Sequence, residues 1–168
     1  LFLVTIVLML LRTLIAHRRD DSYRVDNRFF LVALPLFLVA KYLLLDAGSF
    51  AIGWSMTLGL FRVAFLVMLE RTLSQFMKGV FQVEILRAPP LDNAIKLLAL
   101  AMVFESLLPS MLAGATALTL ASLLIARFCF WKPLVAIKRL DVGIMYIGYL
   151  ALVSQLLLDG LGRFLNLH

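Results

Sequence analysis

Six apolar stretches divide this chain, and the connections between them alternate between Lys/Arg-rich and Lys/Arg-free. The connection after the first stretch carries Arg18, Arg19, Arg24 and Arg28. The next, Asp46 to Ser49, carries neither Lys nor Arg. The third carries Arg71, Lys78 and Arg87; the fourth, around Pro109 and Ser110, carries none; the fifth carries Lys132, Lys138 and Arg139. Short loops rich in Lys and Arg stay on the cytoplasmic side of a membrane. The pattern therefore predicts a multi-pass inner-membrane protein, with loops one, three and five cytoplasmic and both ends on the outer side. Apolar residues make up 63% of the chain and charged residues 15%. Soluble domains have about 45–50% and about 25%, so most of this apolar surface has lipid as its solvent. The net charge of +6 sits at segment ends, where it anchors helices, and does not imply a nucleic-acid partner.

The segments are residues 1–16, 29–45, 50–69, 94–108, 111–131 and 142–161. Lipid satisfies no backbone hydrogen bonds, and the period-2 alternation of a barrel is absent, so each span must be helical. The expected fold class is all-α: a polytopic transmembrane helical bundle of about six spans in a single transmembrane domain, 1–168. A span needs roughly 20 apolar residues, so the fourth segment is short and is expected either to lengthen through Pro109 or to be a half-embedded helix. Leu1 lies inside an apolar run and His168 ends the chain, which suggests a fragment of a larger polytopic protein. The expected partners are the lipid bilayer and the remainder of that protein.

In the third loop Leu73, Phe76, Met77, Val80 and Phe81 recur at helical spacing, with Arg71, Gln75, Lys78 and Gln82 opposite. This predicts a short amphipathic helix in the cytoplasmic interface, ended by Pro89-Pro90.

Charges at bilayer depth are costly and mark interior or functional positions. Arg62 lies seven residues inside segment three, roughly 10 Å deep at about 1.5 Å per residue. Arg12 and Arg127 lie nearer the same face and are expected to snorkel. Lys41 and Glu105 sit at equal depth, each roughly 6 Å from an outer end, which predicts a salt bridge between them. The same arithmetic separates Glu105 from Arg62 by roughly 12 Å. Gln155 is a mid-span polar group, more often a helix–helix hydrogen bond than a ligand. Together Arg62, Lys41, Glu105 and Gln155 could line a polar path, which is the expectation for half of a secondary transporter.

Cys129 is the single cysteine, so an intrachain disulfide is excluded. His17 stands beside Arg18, where solvation is the ordinary role, and the seven methionines are scattered without the clustering copper(I) requires. No nucleophile triad, phosphate loop or zinc spacing occurs.

Several stretches resemble the NnrS family. RRDDSYRVDNRFF, from Arg18 to Phe30, is similar to its basic, Asn-containing linker. ERTLSQFMKGVFQVEIL, Glu70 to Leu86, resembles its Arg and Pro-Phe-Phe loop through Arg71 and Phe76, with Ser74 or Gln75 in place of the proline. From Trp131 to Tyr149 the chain is similar to a Trp…Asp…His-x-Gly-Tyr pattern: Trp131, Asp141, Gly148 and Tyr149 match, and Tyr146 stands where the family has its histidine. The resemblance implies a bacterial inner-membrane protein of about twelve spans, of which this is about the second half. It implies haem and copper, and a role in denitrification and in tolerance of nitric oxide and nitrosative stress. On that basis His168 and Tyr146 are the candidate haem ligands and His168 the candidate metal ligand, with most ligands outside this fragment. A tyrosine can ligate haem iron, although one in a span is more often packed with its hydroxyl hydrogen-bonded.

Overall fold

The computed structural model describes residues 2–16, 24–82, 88–131, 133 and 140–165, with the side chains of 24–29, 80, 140 and 141 left aside. His17, His168 and the side chain of Asp141 therefore lie outside the described residues, as do most of the basic residues of loops one and five.

Backbone hydrogen bonding is satisfied within helices throughout the described residues. The order is α1 (Phe2–Ala16), α2 (Arg24–Leu45), α3 (Phe50–Phe81), α4 (Pro89–Ala101), a 3-10 segment (Met102–Leu107), α5 (Ser110–Phe130) and α6 (Leu140–Phe164). The protein is all-α, a helical membrane bundle. Three helices are long and apolar enough to cross a membrane: Phe50–Gly79, Ser110–Phe130 and Val142–Phe164. Phe2–Ala16 and Phe30–Leu45 are shorter apolar helices. Pro35 sits inside α2 without ending it, a substitution tolerated in apolar bundles where neighbours absorb the freed carbonyl.

Two pairings organise the bundle. α2 packs along the first half of α3, and α5 packs along α6. At the α2–α3 turn the Ser49 hydroxyl donates to Asp46 Oδ2 at 2.8 Å, and the chain reverses so tightly that a Cβ on Gly53 would lie 2.7 Å from the Leu44 nitrogen. Between α5 and α6, Gly114 and Gly160 face one another; a Cβ on Gly160 would meet Leu118 at 2.7 Å and the Gly114 carbonyl at 3.2 Å. In a bundle surrounded by lipid no hydrophobic force drives helices together, so close backbone approach through small residues supplies the packing instead. The core, with Leu60, Leu73, Met77, Ile95, Leu124, Tyr149 and Leu156 fully buried, lies where α3 through α6 converge.

The amphipathic stretch of the third loop is helical, and it continues α3 without a break to Gln82, whose left-handed φ of 51° ends the helix. Leu73 and Met77 are buried in the protein core, while Phe76 is exposed. At about 1.5 Å per residue a helix of 32 residues is about 48 Å long, well beyond the roughly 30 Å hydrocarbon thickness.

Candidate functional site: an ionic ring at a helix break

Segment four ends in a way the sequence foreshadows through Pro109. A proline pushes the residue before it out of helical geometry, and Leu108 is extended at φ −89°, ψ 147°. The helix can no longer run on. Its last turn tightens into the 3-10 segment, with Phe104 at φ −98°, ψ 21° and the Leu108 amide bonding to the Glu105 carbonyl at 3.1 Å. Irregular backbone among apolar helices is found where protein buries it or where it lines a cavity. Here it is laid against α3. Gly59 makes that possible, since a Cβ there would stand 2.8 Å from Val103 Cα.

One turn beyond Gly59, Arg62 meets the break. Its Nη1 lies 3.4 Å from Glu105 Oε2 and its Nη2 lies 3.8 Å from Asp159 Oδ2. Arg163, one helical turn after Asp159 on α6, closes the ring: it binds Glu105 Oε1, and its Nε is 3.8 Å from Asp159 Oδ1. Two arginines and two carboxylates from α3, the 3-10 segment and α6 thus form a charge-balanced cycle.

A second cluster joins α3, α4 and α5. Arg127 Nη2 lies 2.8 Å from Glu70 Oε2 and 3.0 Å from Asp92 Oδ1, and Lys96 Nζ reaches Glu70 Oε2 at 3.2 Å. Arg127 also lies over the Trp131 ring, 4.6 Å from its centroid. Trp131 belongs to a buried aromatic group with Phe128, Tyr146 and Tyr149. The Tyr146 hydroxyl donates to the Trp131 carbonyl at 2.7 Å, and the Tyr149 hydroxyl to the Leu124 carbonyl at 2.8 Å.

Of the residues singled out in the sequence, Arg62 and Glu105 come together. This corrects the depth arithmetic, which separated them and paired Glu105 with Lys41. Lys41 is exposed on α2, whose partners are α1 and α3. Equal depth says nothing about which faces of two helices meet, and a depth counted from Leu69 fails when α3 runs on to Phe81. Gln155 is exposed. Arg71 lines a groove of about 570 Å³ between α2 and α3, and Gly148 lines one of about 410 Å³ between α3 and α6. Arg127, expected to snorkel, is instead 2% exposed and ion-paired. Arg12 is exposed. Asp159, Arg163, Glu70, Asp92 and Lys96 carry no such role in the sequence reading; the four-residue spacing of Asp159 and Arg163 was the available signal.

The described residues do not fit haem or copper. Tyr146 and Tyr149 commit their hydroxyls to backbone carbonyls inside a packed aromatic group. Cys129 is exposed. Among the described residues no three His, Cys, Asp or Glu side chains are grouped so as to hold a metal ion.

A family model described as "NnrS protein" matches residues 1–168. None of the curated proteins compared and none of the solved structures matches the chain.

Proposed function

Because the chain belongs to the NnrS family, we propose that this multi-pass membrane protein acts in the response to nitric oxide and nitrosative stress or in denitrification. The match over residues 1–168 is the observation that carries this reading. Haem, in this proposal, is held by the longer protein on ligands outside the described residues, with His168 as a contributor. The membrane is a bacterial inner membrane, and the end of α3 bearing Arg71 and Lys78 faces the cytoplasm, a placement supported by the alternation of basic loops. A deletion strain should grow more slowly under a nitric oxide donor and recover on complementation. Growth equal to the parent's under the donor would sink the proposal. A Soret band in the purified full-length protein is the expected sign of haem.

A second reading is favoured by the ionic ring at the helix break. Discontinuous helices near intramembrane charges are where secondary transporters bind their substrates, so this chain is alternatively half of a permease in which Glu105 and Arg62 sit on the polar path. Uptake driven by an ion gradient, abolished by Glu105→Gln, separates it from the first. Lys41 and Gln155 belong to that path only if their substitution also lowers uptake.

A further inference from the structure

Arg127 carries five N–H donors in a position with almost no solvent contact, 2% exposed. Its Nη2 serves Glu70 and Asp92. Among the described residues its Nε is buried without a hydrogen-bond partner, and so is Glu70 Oε2, which is held by charge at 2.8 and 3.2 Å but accepts no aligned hydrogen bond. One orphan is a donor and the other an acceptor. Both residues line the same small cavity, together with Ser74, Asp92 and Trp131, and its volume is about 10 Å³.

Size and polarity decide what that cavity takes. A water needs roughly 10–15 Å³ of such space and two to four polar partners; an oxyanion of several heavy atoms needs far more. An apolar void would stay dry, but this one has two carboxylates, a hydroxyl and a guanidinium in its wall. We propose that the cavity between Glu70, Ser74, Asp92 and Arg127 is a binding site for one ordered water, which accepts a hydrogen bond from Arg127 Nε and donates one to Glu70 Oε2. The site makes the cluster a hydrated ionic group inside the bundle. It supplies the missing hydrogen bonds of two buried atoms, and it joins α3 to α5 by a bridge in addition to the direct ion pair.

The test uses the full chain in lipid nanodiscs. Infrared spectra recorded in ordinary water and in water labelled with oxygen-18 should differ in a sharp O–H band of a confined molecule. Ser74→Leu, which fills the cavity, should abolish that band and lower the Tm by about 5 °C; Ser74→Ala should keep the band. An isotope-sensitive band unchanged in Ser74→Leu, or none at all in the parent protein, overturns the proposal. Should Ser74→Leu not fold, a map of the unsubstituted protein that resolves ordered waters decides: density bonded to both Arg127 Nε and Glu70 Oε2 supports the site, and Nε bonded to a protein acceptor refutes it.

Discussion

The two ionic clusters have the same composition, two cations and two carboxylates each, and lie eight residues apart along α3 at Arg62 and Glu70. They differ in exposure. Around Arg127 the pairs close to 2.8, 3.0 and 3.2 Å, and no side chain is more than 15% exposed. Around Arg62, Arg163 closes on Glu105 while Arg62 stands 3.4 and 3.8 Å from its carboxylates, and Arg163 and Asp159 are 23% and 33% exposed. The backbone explains the difference. Glu70, Asp92, Lys96 and Arg127 sit on regular helices, whose fixed faces bring the charges into register. Glu105 sits on a 3-10 turn that Pro109 forces on the chain. Desolvated pairs on rigid helices act as a staple, whereas more accessible charges at a break are better placed to exchange partners. On the permease reading the ring is the working group, and the Arg127 cluster holds the bundle together.

Substitutions should sort along that divide. Arg127→Ala takes from Glu70 and Asp92 the cation they share, and breaking a buried pair by removing one partner costs about 3–5 kcal/mol. Equilibrium unfolding in mixed micelles should register that loss, and a cost below that of Glu105→Gln would reverse the comparison. Gly59→Val should be next in size, since a side chain there drives into Val103 Cα and overpacking costs about 1–3 kcal/mol. Gly79→Ala on the same helix has open space around it and serves as the unaffected control. Glu105→Gln should cost about 1–3 kcal/mol by leaving Arg62 and Arg163 short of an acceptor, while any transport activity should fall far more steeply than stability. Lys41→Ala should change stability by less than about 0.5 kcal/mol, as surface substitutions do. A double-mutant cycle between Arg62→Ala and Glu105→Ala should show coupling, and the cycle between Lys41→Ala and Glu105→Ala should show none.

Much of the architecture was legible because apolar length and helical period report directly on backbone state. Segments three, five and six reappear as α3, α5 and α6, and the apolar face from Leu73 to Phe81 is helical. Segment four was legible only in part. Its shortness was evident, but the 3-10 turn depends on how Pro109 is accommodated against α3. The site was least legible. Glu105 and Arg62 stood out as costly charges, yet their partnership depends on the rotation of each helix about its axis, which depth arithmetic does not contain. Asp159 and Arg163 lay near a segment end, where charge is ordinary, so only their four-residue spacing marked them.

The sequence by itself determined that this chain is a bundle of apolar helices, because transfer of charge and unpaired backbone into lipid is prohibitive whatever the packing. It also carried the family resemblance that the match over residues 1–168 bears out. Only the tertiary structure decided which charges meet. Close approach at Gly59 and Gly160 sets the helix rotations, and those rotations direct Glu105 to Arg62 and Arg163 rather than to Lys41, and Arg127 inward to Glu70 and Asp92 rather than outward to solvent.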